Sequence, residues 1–260
     1  MYNKTLRPQK KVILCEDGTN TLFSEEFNEP YHSTKDGALH ESLEKHVKPA
    51  LELQKNKTSL TILDICYGLG YNTLSTLYYV KKRNLKTKIE IISPEFDDNL
   101  VKSLVDFDYP DEFNILKDVI ESLSKNFYYE DEQFKIKILK GDARVTVPKI
   151  EKKIDIIYQD AFSPKHNPLL WTREFFRDIA NISKKDTILT TYSTASSTRL
   201  GLYENGFFIF VYYGQKTRYS TIASIKMLNS LDHIDMELKK IRNPKAKSFR
   251  DVDFIQNNLF

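Results

Sequence analysis

The chain has 260 residues, of which 40% are hydrophobic, with 16 Phe and 15 Tyr, enough to bury the core of one α/β domain or of two small ones. A formal net charge of +3 excludes a strongly basic or acidic polypeptide, no apolar run approaches the roughly 20 residues of a membrane helix, and the basic Met1 to Lys11 stretch lacks the apolar centre of a signal peptide. Cys15 and Cys66 are too few for a disulfide framework and fit a reducing cytoplasm, while His32, His40, His46, His166 and His233 lack zinc-site spacing, so no metal is expected.

Lys11 to Ser24 reads as a hairpin, with Val12 to Leu14 as one arm, Asp17-Gly18 as the turn and Thr21 to Phe23 as the other arm. A lone hairpin cannot stand by itself, so it is expected to pack on the main body. Glu25 to Ser33 reads as a loop. Gly37 to Val47 has helical spacing, and Pro49 is expected to end or kink that helix.

The stretch that organises the rest is Leu60 to Asn72. Thr61 to Ile65 has the composition of a strand covered on both faces, Gly68 and Gly70 follow at once, and Asn72 to Lys82 is helical. Strand, glycine turn and helix bring backbone N–H groups close to a ligand. Neither a phosphate loop nor the third small residue of a dinucleotide fingerprint is present. Asp64 at the junction would repel a pyrophosphate but suits a ligand with an amine and a sulfonium, which favours S-adenosyl-L-methionine.

Further strands are expected at Lys88 to Ser93, Phe134 to Leu139, Lys153 to Tyr158 and Thr187 to Tyr192, with helices at Asp97 to Val105, within Ile115 to Tyr129, at Thr172 to Ile182 and at Ser196 to Asn205. Phe207 to Tyr212 and Thr221 to Ile225 form a closing pair. The pattern describes an α/β fold, a mostly parallel, doubly wound Rossmann-like sheet with an antiparallel edge and an N-terminal hairpin addition. Residues 1–50 are read as hairpin and leading helix, 51–228 as the main domain, and 229–260 as a surface tail.

In such a sheet ligands gather at the carboxyl ends of the strands. Asp64, Glu95, Asp142 and Asp160 each stand at such an end. Glu95 suits the hydroxyls of a ribose, or is a loop glutamate. Asp142, between Gly141 and Ala143, suits an adenine amine, or is an ordinary turn aspartate. Asp64 lies near the amino-acid end of the cofactor, or anchors the turn. Asp160 is the candidate for chemistry, a carboxylate between methyl donor and substrate that holds an amine and favours the cation developing on it. Phe162, Lys165 and Trp171 follow it, Trp171 being either a stacking platform or a core anchor. Tyr31, His32, Tyr71, Lys216 and Arg218 are candidates for the entrance. Lysine clusters such as Lys81 to Lys88 and Lys239 to Arg250 are either phosphate contacts or solvated faces.

Several segments resemble the methyltransferase domain of the MnmC-type tRNA-modifying enzymes. Glu16-Asp17-Gly18, Tyr31-His32-Ser33 and Gly37-Ala38-Leu39 are similar to its N-terminal segments, and Ile65-Cys66-Tyr67-Gly68-Leu69-Gly70-Tyr71-Asn72 to its cofactor loop, with Tyr67, Gly68, Gly70 and Asn72 at the cofactor. Leu139 to Arg144 looks like its Gly-Asp-Ala-Arg signature. The block Asp160-Ala161-Phe162-Ser163-Pro164-Lys165-His166-Asn167-Pro168-Leu169-Leu170-Trp171 resembles Asp-Gly-Phe-x-Pro-x-x-Asn-Pro-x-x-Trp, with Ala161 for glycine and Gln159 for an apolar residue.

The resemblance covers about Val12 to Ile225. It implies S-adenosyl-L-methionine-dependent methylation of the aminomethyl nitrogen of a wobble 5-aminomethyl(-2-thio)uridine, with tRNA as substrate and Asp160 near the amine. With 260 residues the chain is expected to be the stand-alone form, without the flavin-dependent oxidoreductase domain of the bifunctional relatives, its aminomethyl substrate supplied by a separate enzyme. The other readings are a methyltransferase acting on a small amine such as a polyamine, and a non-catalytic RNA-binding protein of the same fold.

Overall fold

A computed structural model describes residues 10–255. Strands β1 (Lys10–Leu14), β2 (Asn20–Ser24) and β3 (Glu29–Pro30) make a small antiparallel sheet in the order β1-β2-β3. The hairpin therefore gains a third strand from the stretch expected to be a loop. Thr21, Leu22 and Ser24 are buried, and Leu22 packs on the main body.

The leading helix neither stops nor breaks at Pro49. It runs as α1 (Ala38–Glu41), a π-helical segment Ser42–Val47, and α2 (Lys48–Leu53). Pro49 has no N–H, so the turn before it cannot close in the α pattern. The helix widens instead, the Lys48 N–H reaching back five residues to the Leu43 carbonyl. The extra residue in that turn leaves a row of five buried side chains, Glu44 through Val47 with Ser42, facing inward.

Nine strands form the central sheet: β4 (Ser59–Ile65), β5 (Lys88–Glu95), β6 (Tyr128–Glu130), β7 (Phe134–Lys140), β8 (Ile154–Gln159), β9 (Ser183–Thr191), β10 (Phe208–Tyr212), β11 (Ser220–Ser224) and β12 (Asp232–His233). Their order is β12-β10-β11-β9-β8-β4-β5-β7-β6, with β4, β5, β7, β8 and β9 parallel and β11 antiparallel to its neighbours. From β4 the chain steps outward through β5 to β7 and then returns to lay β8 on the other side of β4. That reversal is the switch point at which such sheets open a crevice.

Alternation along the strands supplies two cores. Ile62, Ile156, Tyr158 and Ile188 face one, which α3 (Tyr71–Lys82) closes with Leu74, Leu77 and Val80, together with α4 (Asp98–Ser103) and α5 (Lys117–Asn126). Leu63, Ile65, Ile157 and Leu189 face the other, where α6 (Ala143–Thr146) sits beside α7 (Arg173–Ile182), with Phe175, Phe176 and Ile179, and α8 (Ser196–Tyr203). Thr172 caps α7, its hydroxyl accepting from the Phe175 N–H.

The segment after Met227 lies on this body rather than beside it. β12 adds to β10, Ile234 and Met236 are buried, and α9 (Met236–Arg242) follows. The chain then bridges back: the Arg173 N–H donates to the Phe249 carbonyl, Arg250 pairs with Glu174, Asp251 pairs with Arg144, and α10 (Val252–Ile255) ends the described residues. No helix among the described residues is long and apolar enough to cross a membrane.

Candidate active site

A cleft of about 1160 Å³ lies at the carboxyl ends of β4, β5, β7 and β8, large for a small-molecule site. Its base is the turn Cys66 to Gly70. Cys66, Gly68 and Gly70 all have left-handed backbone, at φ 66°, 54° and 75°. Gly68 and Gly70 can hold it without strain, whereas Cys66 stores about 1–2 kcal/mol there. A Cβ at Gly70 would lie 2.6 Å from the Tyr67 hydroxyl, and one at Gly68 would lie 3.3 Å from the Tyr31 ring. The turn is pinned from three sides: the Tyr67 N–H donates to Pro94 O, the Gly68 N–H to Glu95 Oε2 at 2.8 Å, and the Tyr109 hydroxyl to Leu69 O.

The four acidic strand ends differ in role. Glu95 faces the cleft and also accepts the Asp97 N–H at Oε1; burial pushes its carboxyl up, while the backbone N–H groups of Asp97, Gly68 and Phe96 pull it back. A carboxylate has about four acceptor sites, so these donors leave room for a further one. Asp142 lines the same wall and caps α6 by accepting the Arg144 N–H, with Gly141 and Ala143 beside it. Asp64, by contrast, is 1% exposed and does not line the cleft. It accepts from the Thr73 hydroxyl at 2.7 Å, has one oxygen without a partner, and burial raises its pKa to about 7. Of the two readings of Asp64, the turn anchor is the one this placement fits.

Asp160 lies at the floor, its side chain 12% exposed. Burial alone would raise its pKa, but the adjoining His46, then His32, and the hydrogen bond from Asn72 hold it below the ordinary carboxylate range. Asn72 Nδ2 donates to Oδ2 at 2.7 Å, and His46 Nε2 stands 3.4 Å from Oδ1. Asn72 Oδ1 is left without a partner beside the cleft.

Aromatic side chains from the N-terminal sheet make one wall. Phe27 stacks on Phe162 at 4.3 Å between centroids, Tyr31 meets Phe162 edge-on at 4.8 Å, and Glu29 accepts the Ser163 N–H. His32 borders the cleft and shares a 3.1 Å hydrogen bond with the Thr21 hydroxyl, burial lowering its pKa. Gln159, which departs from the apolar residue expected there, donates to Leu170 O and ties the far end of the Asp160 loop to its start.

Several expected contacts are not brought to the cleft. Trp171 is fully buried and donates to Phe162 O, so it is the core anchor and no stacking platform. Lys165 is exposed on a turn outside the lining, while its neighbours His166 and Asn167 line it. Lys216 and Arg218 are exposed on the loop joining β10 to β11, at the same edge of the sheet but outside the cleft. Tyr71 lines the cleft from beneath, its hydroxyl donating to Asn20 O. The reading of single residues missed Phe27, Cys66 and His46. Phe27 and His46 come from the loop and helix preceding the sheet, and only tertiary packing brings them to the Asp160 end of β8.

A family model described as S-adenosyl-L-methionine-dependent methyltransferase matches residues 113–224. The crystal structure of MnmC2 from Aquifex aeolicus superposes with a TM-score of 0.78 at 30% identity, covering 95% of this chain and 80% of that one. The chain belongs to the MnmC-type S-adenosyl-L-methionine-dependent methyltransferases.

An uncharacterized protein of Methanocaldococcus jannaschii is 32% identical over 209 residues, 79% of this chain and 56% of that protein. The tRNA 5-methylaminomethyl-2-thiouridine biosynthesis bifunctional protein MnmC of Ralstonia nicotianae is 28% identical over 210 residues, 75% of this chain and 31% of that protein. The MnmC-type chain thus spans about half or less of these two relatives' lengths.

The cofactor of this MnmC-type enzyme is S-adenosyl-L-methionine, and the cleft fits it. A turn kept open by the missing Cβ atoms of Gly68 and Gly70 suits close approach of a ligand. Glu95 and Asp142 present acceptors suited to hydroxyl and amine donors, and the orphaned Asn72 Oδ1 is a further acceptor. No group of three or more metal-ligating side chains occurs among the described residues.

Proposed function

We propose that this methyltransferase converts 5-aminomethyl(-2-thio)uridine at the tRNA wobble position to 5-methylaminomethyl(-2-thio)uridine. The bifunctional relatives carry 5-methylaminomethyl-2-thiouridine biosynthesis in their name. The observation that carries the reading is Asp160, a carboxylate at the cleft floor with the Asn72 amide donating to it, His46 beside it and an aromatic wall of Phe27, Tyr31 and Phe162 above.

When bound, S-adenosyl-L-methionine supplies an electrophilic methyl group. The protein's share is position and field. Glu95, Asp142 and the Gly68 to Gly70 turn hold the nucleoside part of the donor, the Asn72 side chain borders its amino-acid end, and Asp160 accepts an N–H of the substrate amine. Negative charge on Asp160 favours the cation that forms on that nitrogen. Phe162 and Tyr31 give a uracil ring an aromatic wall and keep bulk water from the reacting groups. A separate enzyme that installs the aminomethyl group is the implied supplier of substrate.

The test is mass analysis of wobble nucleosides after incubation of the purified protein and cofactor with tRNA carrying 5-aminomethyluridine, alongside polyamines as competing acceptors. A gain of one methyl on the tRNA nucleoside is expected; methylation of the polyamine alone would overturn the substrate assignment. Asp160→Asn keeps the shape and removes the charge, and should cost about 100-fold or more in kcat while leaving cofactor binding by calorimetry intact. Wild-type turnover in that variant would remove Asp160 from the chemistry.

A further inference from the structure

His46 is fully buried, and it lies in the π-helical turn by which the helix widens before Pro49. Its Nδ1 lies 3.0 Å from the Thr190 hydroxyl of β9, and its Nε2, which has no hydrogen-bond partner of good geometry, lies 3.4 Å from Asp160 Oδ1. Thr190 has a proton to donate, and an ionised carboxylate draws an N–H toward it. Both preferences select the tautomer in which Thr190 donates to Nδ1 and Nε2 carries the hydrogen.

The surroundings of His46 contain few competing charges. Tyr158 of β8 meets the ring edge-on at 5.9 Å, with its own hydroxyl engaged by Thr76 of α3. Asp64 of β4 and His32 of the preceding loop act on it through space, Asn72 of α3 is neutral, and on its own element Glu44 pairs with Lys48 while Lys45 pairs with Asp36 and Glu41. Asp64 and Asp160 are thus two buried carboxylates on neighbouring strand ends that compete for the same charge. Asp64 has the Thr73 hydroxyl, with the Asn72 side chain also acting on it; Asp160 has the Asn72 amide at 2.7 Å and the imidazole beside it.

We propose that His46 is a positioning residue: its Nε2–H, aimed by Thr190 and by the π-helical turn, fixes the Asp160 carboxylate toward the cleft and makes Asp160, rather than Asp64, the member of the pair that carries negative charge in the working enzyme. Environments that push two neighbouring titratable groups apart are how one site assigns different tasks to chemically identical side chains. The arrangement already splits them, with Asp160 held below the ordinary carboxylate range and Asp64 near 7. The inference rests on the functional reading above for what Asp160 does, but not for how its charge is set.

Two variants separate these. His46→Leu removes the donor, and His46→Gln restores a donor at nearly the position of Nε2. In cofactor-free protein with 13C-labelled aspartate carboxyls, the Asp160 resonance, assigned with Asp160→Asn, should titrate at higher pH in His46→Leu than in wild type and at an intermediate point in His46→Gln. An unchanged midpoint in both would overturn the proposal whatever the substrate proves to be.

In methyl transfer, His46→Leu should lose about tenfold or more in kcat near pH 6.5, with KM for tRNA nearly unchanged. Its acid limb should steepen from a one-proton to a two-proton dependence and the deficit should shrink as the pH is raised. His46→Gln should recover most of the rate near pH 6.5, where the leucine variant is slowest. A loss of the same factor at every pH, not relieved by glutamine, marks a merely structural role and would also overturn the proposal. Absence of methyl transfer by wild type, with the carboxyl titration displaced as expected, would instead refute the functional reading alone.

Discussion

Asp64 and Asp160 end neighbouring strands, and what reaches each decides its state. Asp64, with one hydroxyl donor and an unpartnered oxygen, has its pKa raised from 3.8 to about 7. A raised carboxyl binds its proton more tightly folded than unfolded, so this residue weighs nothing against the fold below about pH 4. Stability drains away as pH climbs from there to about 7, where the folded protein must ionise it, and stays level above that. The loss is about 4 kcal/mol at most. Asp64→Asn keeps an acceptor for Thr73 and removes the ionisation, so at pH 8 it should raise the melting temperature by about 5 °C, with little change at pH 4. Equal shifts at both pH values would show that Asp64 is held neutral, or is solvated, in the native protein.

At the scale of elements, the C-terminal segment contributes to the site without belonging to the sheet. Phe249 bridges to Thr172, Arg250 and Asp251 both engage Glu174, Asp251 also pairs with Arg144, and Phe254, edge-on to Phe249, lines the cleft next to the Asp142 wall. The ion pairs are partly exposed and worth little each, so the aromatic contact and the lining are what truncation removes. Ending the chain at Ser248 should weaken S-adenosyl-L-methionine binding by about tenfold in calorimetry, about 1.4 kcal/mol, and leave the methyl-transfer rate at saturating cofactor within a few-fold of wild type. Unchanged affinity would make this segment a clamp on α7 only.

Elements also show what a linear reading can reach. The glycine turn, the capped helix at Thr172 and the parallel strands were legible because apolar runs and turn residues are local signals. The π-helical turn was not, because Pro49 argues equally for an end and for a kink, and its resolution depends on what the widened turn buries. The short β6 and β3 escaped for a related reason: two or three residues make a strand only through the partner they lie against. At the site, acidic strand ends were visible from strand positions alone, whereas His46 and Phe27 are joined to Asp160 and Phe162 only through the fold.

On the scale of the whole molecule, one edge of the sheet gathers the features suited to recognition. The cleft opens there, and so does the β10 to β11 loop, where Tyr213 and Tyr219 are exposed with their rings 6.3 Å apart and Lys216 and Arg218 stand exposed between them. That loop is braced to the leading helix, since Gln215 donates its N–H to Glu44 and His40 meets the Gln215 carbonyl. It sits outside the cleft at the same edge of the sheet, and under the proposed function its exposed cations and tyrosine rings suit phosphate contact and base stacking rather than catalysis. With a net charge of only +3, electrostatic attraction to RNA has to come from such local clusters. KM for tRNA should therefore rise steeply between 50 and 200 mM salt, while KM for the cofactor, bound in a cleft walled by Glu95 and Asp142, should change little. Replacing both Lys216 and Arg218 by alanine should raise KM for tRNA several-fold at moderate salt and flatten its salt dependence by about one to two phosphate contacts, with kcat preserved. Should the double variant keep the wild-type salt slope, the RNA must cross the cleft on its opposite side, along the basic tail residues Lys239 to Arg250, and charge reversal there becomes the decisive measurement.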